Sequence, residues 1–265
     1  MYILSLETST KNFSLAISKD EKVLRFRNVR TDRILESSMI DSIDKLLASC
    51  DLNLDKVDAL AIGLGPGSFT SLRVGLSTVK AFALATGKKL VGICSLDVLA
   101  SGVVPNESIG TKTDEICVLA DARRGKVYAA IYDVRNGFKP FLTEHLLTTI
   151  EDVLKLVHGT TLFVGDGILL YKEQIEAAYR KHLSFPNADQ TLSPPNVSVG
   201  GDGLFCRPVF AAEKFWYPQA KELAKLAFKK LEIRKYDDPS TIVPIYLYPQ
   251  DCQVRPEQGR RVDRK

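Results

Sequence analysis

Gly63-Leu64-Gly65-Pro66-Gly67-Ser68-Phe69-Thr70-Ser71-Leu72-Arg73-Val74-Gly75 joins an apolar strand, Val57 to Leu64, to a long apolar helix, Leu72 to Thr86. The glycines and the proline between Gly63 and Gly67 force a tight turn, and Ser68 or Thr70 stands where it can cap the following helix. Turns of this composition often cradle phosphate, but the spacing matches neither common pattern. A P-loop needs a Lys-Ser/Thr pair directly after its last glycine. A dinucleotide fingerprint needs G-x-G-x-x-G and an acid about 20 residues on, where Leu84, Ala85 and Thr86 stand. Arg73 is the single charge in the first turn of a helix that continues with Val74, Leu76, Val79, Ala81, Phe82, Ala83 and Leu84. A helix apolar on every side is either buried in a core or covered by a partner.

The 265 residues suffice for two modest domains or one large one, and a hydrophobic content of 45% builds a core. A net charge of +4 sets up no strong field toward nucleic acid or an anionic membrane, although weak RNA contact stays open. Cys50, Cys94, Cys117, Cys206 and Cys252 are odd in number and dispersed, as reduced thiols in a cytosolic core are. No basic leader and no run of about 18 apolar residues is present, so the expectation is a cytoplasmic protein without membrane contact. His145, His158 and His182 stand apart in the sequence, without an H-x-x-x-H or C-x-x-C pair, and no metal ligand is expected.

Working outward, Tyr2 to Leu6, Phe13 to Ser18 and Lys22 to Val29 read as an antiparallel meander whose first turn is Glu7-Thr8-Ser9-Thr10-Lys11-Asn12. The period changes over Ser38 to Cys50, where Met39, Ile40, Ile43, Leu46, Leu47 and Cys50 share one helical face and Ser38 with Asp41 forms a capping box. With strand Leu90 to Cys94 and helix Leu96 to Ser101 this completes a βββαβαβα run, a mixed sheet covered by helices. A polar connector, Gly102 to Glu115, marks a lobe boundary near residue 103. The pattern then restarts: strands Ile116 to Ala120 and Val127 to Tyr132 flank the turn Asp121-Ala122-Arg123-Arg124-Gly125-Lys126, followed by strand Leu142 to Leu147, helix Ile150 to Val157 and strand Thr161 to Val164. The opening thus recurs after about 115 residues, a topological repeat. Ser184 to Phe205 reads as irregular, and helix Gln219 to Arg234 is expected to pack back on the first lobe. Residues 104 to 218 form the second lobe, Ile245 to Pro249 is a short extended segment, and 251 to 265 is a basic, disordered tail, either solvated or an RNA-binding arm.

Met1 to Thr10 (MYILSLETST), Gly65 to Gly75 (GPGSFTSLRVG) and Asp121 to Tyr128 (DARRGKVY), in this order, resemble the bacterial TsaB family, formerly YeaZ, as does Pro244-Ile245-Tyr246-Leu247 near the end. The resemblance is strong to about residue 135 and loose afterwards. It implies the actin-like, Hsp70-like ATPase fold, an α/β architecture of two lobes with repeated βββαβα units and mixed sheets. It also implies a non-catalytic subunit for making N6-threonylcarbamoyladenosine at position 37 of tRNAs reading codons that begin with A. The implied partners are the catalytic paralogue TsaD as heterodimer, the small ATPase TsaE, a second copy of the chain in isolation, and tRNA through the complex.

In the metal-bearing paralogue an H-x-x-x-H pair lies on the helix matching Ser37 to Cys50, where this chain has Met39, Ile43 and Leu47. The resemblance places the partner interface on that helix and the next, implicating Met39, Ile43, Leu46, Leu47, Phe69, Arg73, Val74, Leu76, Val79 and Phe82, divided between core and interface. Thr8, Ser9, Thr10, Asp121 and Arg123 make up a vestigial nucleotide site, with ATP or ADP left to the assembled complex and no resident cofactor. Ser71 replaces a common glycine, Lys126 replaces a common acid, and the tail runs past the usual end. The competing readings are an active ATPase or phosphotransferase using Asp121 and the Thr8 to Thr10 turn, a glycoprotease, and a homodimer outside tRNA modification.

Overall fold

β1 (Tyr2–Glu7), β2 (Asn12–Lys19) and β3 (Lys22–Arg30) form an antiparallel meander, with β1 and β2, buried on both faces, paired from Tyr2 opposite Lys19 to Glu7 opposite Ser14. The computed structural model describes residues 1–10, 12–30, 35–103, 113–135, 144–183 and 208–248. After α1 (Leu35–Ala48), β4 (Ala59–Gly63) adds to β1 in parallel; α2 (Phe69–Thr86) then returns the chain to β5 (Lys89–Ile93), parallel to β4. The first sheet has the order β3-β2-β1-β4-β5. Next, α3 (Ser95–Ser101) leaves that sheet and buries Leu96, Leu99 and Ala100 among Ile116, Val118, Ala130 and Tyr132 of the second.

The second sheet repeats the scheme. β6 (Glu115–Arg123) and β7 (Lys126–Asp133) form a hairpin, and β8 (Leu146–Thr148), α4 (Ile150–Leu154), β9 (Thr161–Val164), α5 (Ile168–Leu183) and β10 (Pro208–Phe210) follow. Its order, β8-β7-β6-β9-β10, is the first sheet's order element for element, antiparallel on one side of the central strand and parallel on the other. Finally α6 (Ala220–Glu232) lays Leu223, Ala227 and Leu231 against Ile3, Ala59, Ala61 and Val91 of the first sheet. The opposite face of that sheet is covered by α1 and α2 through Met39, Ile43, Leu46, Leu47, Leu76 and Val79. Each such aliphatic side chain removed from water contributes about 2 kcal/mol. Among the described residues no helix is long and apolar enough to cross a membrane.

Several expectations need correction. α1 begins at Leu35, so Ser38 lies inside the helix and does not cap it, and Asp41 instead pairs with Lys45 at 2.7 Å. α2 begins at Phe69; Ser68 occupies the cap position without a side-chain capping bond, its Oγ lying 3.0 Å from that of Ser71. In the second sheet β8 starts at Leu146, with Glu144 and His145 outside the strand, and α5 and β10 were not anticipated. The expectations for residues 104–112, 142–143, 184–205 and 251–265 lie outside the described residues.

Candidate functional site

The two hairpin turns face one another across a cleft of about 600 Å³. On the first-sheet side stand Ser9, Thr10 and the turn from Pro66 to Phe69; on the other, Asp121, Arg123 and Asp166, with Leu169, Leu170 and Trp216 closing one flank.

The first side is sealed by protein. Glu7 is fully buried, accepting the Ser9 backbone N–H at 2.8 Å and the Ser95 hydroxyl at 2.9 Å, and burial pushes its carboxyl up from the ordinary value against those bonds. Ser95 Oγ in turn accepts the Gly65 N–H at 3.1 Å, while the Ser95 N–H is bonded to the Gly65 carbonyl at 2.8 Å. The Ser68 N–H donates to the Ser9 carbonyl at 2.7 Å. A Cβ on Gly67 would run into that carbonyl, and one on Gly75 would strike the side chain of Thr8. These two glycines therefore admit the chain's own first turn at the place where a phosphate loop would admit a nucleotide.

The second side is open and acidic. Arg123 and Arg124 adopt positive φ, 67° and 54°, ahead of Gly125 at 70°, which closes the tight hairpin. Asp121 accepts the Arg123 N–H at 2.8 Å, and its other carboxylate oxygen pairs with the Arg123 guanidinium at 3.1 Å. Asp166 accepts the Asp121 N–H at 2.9 Å, and burial, reinforced by the Asp121 charge, holds the Asp166 carboxyl above its usual range. Among the described residues lining the cleft, Arg123 is the one cation, and it is already paired.

Of the five residues expected at a vestigial nucleotide site, Ser9, Thr10, Asp121 and Arg123 line the cleft. Thr8 does not; it is fully buried beneath Gly75. The expected interface set also needs correction. Met39, Ile43, Leu46, Leu47, Leu76 and Val79 are buried in the chain's own core and have no surface to offer a partner, and Val74 and Phe82 are partly buried against that core. Phe69 and Arg73 are exposed, with the guanidinium 3.8 Å above the Phe69 ring and its Nε donating to Tyr246 at 3.1 Å. Sequence reasoning places Ile40 on the same helical face as Met39 and Ile43, and Leu84 in the apolar run of the next helix, but omits both from the interface set; the structure leaves them 45% and 62% exposed on α1 and α2. His145, set apart in sequence, lies against Asp97 at 3.0 Å and near Cys94.

Paired sheets of one strand order facing across a cleft define the actin-like class of two-lobed α/β proteins. A family model described as TsaD, tRNA N6-adenosine threonylcarbamoyltransferase, matches residues 31–240. The tRNA threonylcarbamoyladenosine biosynthesis protein TsaB of Haemophilus influenzae is 28% identical over 70% of this chain and 81% of that protein. Its Bacillus subtilis namesake is 25% identical over 66% and 76%. YeaZ from Pseudomonas aeruginosa superposes with a TM-score of 0.69 at 20% identity, covering 93% of this chain and 99% of that one. The chain belongs to this threonylcarbamoyltransferase-related family, in its TsaB (YeaZ) branch.

Proposed function

We propose that this chain is a non-catalytic subunit in the formation of N6-threonylcarbamoyladenosine at position 37 of tRNAs reading codons that begin with A. In this reading it pairs with TsaD, or with itself when alone, offers a docking surface to TsaE, and meets tRNA through the complex. Relatives named as threonylcarbamoyladenosine biosynthesis proteins support the pathway. The observation that supports the non-catalytic role is the packing of the first turn: the space beside Gly67 and Gly75 is taken by Ser9 and Thr8 rather than left open to a phosphate. The paired state of Arg123 argues the same way against the ATPase reading, because a triphosphate would meet two carboxylates and one committed cation.

The pairing surface is the outer side of α1 and α2, with Ile40, Phe69, Arg73 and Leu84 as its anchors. Apolar side chains left in water on neighbouring helices contribute association energy once covered. The test is threonylcarbamoyl transfer to tRNA by TsaD and TsaE with and without this chain. We expect transfer to require it, and Leu84→Glu to weaken TsaD binding by roughly 30-fold, about 2 kcal/mol, at unchanged stability. Equal transfer without the chain overturns the reading.

A further inference from the structure

Cys94, Asp97 and His145 converge although 51 residues separate the first from the last: one Sγ, one carboxylate oxygen and one imidazole nitrogen lie within 4.8 Å of one another. We propose that they form a binding site for a zinc-like divalent ion that pins the two lobes together. The ligands come from both sides. Cys94 and Asp97 lie at the exit of the first sheet, where β5 gives way to α3, and His145 directly precedes β8 of the second.

Thiolate, imidazole and carboxylate together suit a borderline-soft ion such as Zn²⁺ and disfavour Mg²⁺ or Ca²⁺, which take oxygen ligands. Ligand atoms about 2.0 to 2.3 Å from a tetrahedral zinc stand about 3.3 to 3.8 Å apart. The Asp97–His145 pair at 3.0 Å would therefore open by a few tenths of an ångström, while any separation near the 4.8 Å limit closes by about 1 Å. Three protein ligands leave one position for water, and the thiol proton passes to solvent as the sulfur binds. Cys94 is buried, whereas the Asp97 and His145 side chains are 27% and 20% exposed, which gives the ion an entry path. An orienting partner is also in place: the Tyr132 hydroxyl, on β7, donates to Asp97 Oδ1 at 2.7 Å, the oxygen that His145 Nε2 approaches.

The position gives the ion a structural consequence. Ser95, the residue after Cys94, holds both Glu7 and the Gly65 backbone. An ion at Cys94 would thereby fix the glycine-rich turn and the sealed first hairpin to the second sheet.

Metal-free full-length chain titrated with Co²⁺ should bind one equivalent with a thiolate-to-cobalt charge-transfer band, which Zn²⁺ then bleaches. Cys94→Ser should abolish the band, His145→Gln and Asp97→Asn should weaken binding at least 10-fold, and Cys50→Ser should leave it unchanged. Tyr132→Phe should keep the band and weaken affinity about 10-fold. Circular dichroism checks each fold; should Cys94→Ser misfold, His145→Gln at its part-exposed position decides. Absence of a thiolate band, or a band indifferent to His145→Gln, overturns the proposal.

Discussion

The turn between β1 and β2 and the turn between β6 and β7 hold equivalent places in two sheets of one strand order, but their surroundings differ. Glu7, Thr8 and Ser9 are buried beneath the glycine-rich motif, with their backbone and carboxylate bonded to Ser68 and Ser95. Asp121 to Arg123 lines the cleft and is held locally, through the Arg123 guanidinium and Asp166. A duplicated topology thus supplies two candidate ligand turns, and packing decides which stays available. Glycine serves opposite ends in the two: Gly67 makes room for a neighbour, whereas Gly125 supplies a left-handed backbone with nothing near its missing side chain.

Substitution at these glycines is the harshest way to break that contrast. Gly67→Val drives a side chain into the Ser9 carbonyl and is expected to cost about 3 kcal/mol or more, because the obstacle is backbone and cannot swing aside. Gly125→Ala meets open space and is expected to cost about 1 kcal/mol through its positive φ alone. Urea midpoints of the two variants measure the difference; equal losses would mean that the first turn is not sealed.

The carboxylates give the next effect. Glu7→Ala leaves the buried Ser9 N–H and Ser95 hydroxyl without their acceptor, at about 2 kcal/mol, whereas Asp121→Ala frees an N–H that water reaches, at about 1 kcal/mol. The pH dependence has a definite sign. A carboxyl raised by folding binds its proton more tightly in the folded chain, so its contribution is fully present below the unfolded pKa and is lost as pH rises through the folded value. Glu7→Gln should therefore flatten a fall in stability that begins above pH about 4.5. Glu115, buried at the start of β6 and pushed up to about 7, adds the same sign of slope, which Glu115→Gln should remove between about pH 4.5 and 7. Stability that rises across this window in the parent chain would contradict both.

Much of this contrast was legible in the sequence, and the illegible parts share a cause. Period-two runs such as Ile3, Ser5 and Glu7 against Leu4 and Leu6 announce the first meander, and the DARRGK turn announces the second hairpin. By contrast α5 carries Leu169 and Leu170 on its exposed side and Lys172, Glu173 and Glu176 soon after, and its core stripe is Ile168 and Ile175 with the amphipathic, partly buried Tyr171 and Tyr179, a weak apolar signal in sequence. The apolar pattern of α1 and α2 shows that something covers Met39 and Val79, but not that the chain's own sheet does. The glycines of the motif could be read as permissive, yet only tertiary contact reveals whether ligand or protein fills the space. Likewise Cys94 and His145 meet because α3 crosses to the second sheet, which local spacing does not encode.

The smallest expected effect concerns what keeps the open turn in place. The segment following α6 runs back over the motif, where the Ile245 N–H donates to the Leu64 carbonyl at 2.8 Å, and ends at the second hairpin. There the Tyr248 hydroxyl reaches the Ala122 carbonyl at 3.0 Å, and its ring meets Tyr128 edge-on with centroids 6.2 Å apart. One segment therefore touches the motif that covers the sealed turn, through Leu64, and the open turn, through Ala122. Tyr248→Phe keeps the ring contact and removes the hydroxyl, leaving a partly exposed carbonyl that water can satisfy, so the cost should be about 0.5 kcal/mol. Amide exchange separates the two turns more sharply than global stability: the Arg123 N–H should exchange faster in Tyr248→Phe while the Ser9 N–H, held by buried Glu7, keeps its protection. If both amides accelerate together, the turns open as one unit, and the sealed and open states described for them would belong to a single cooperative element.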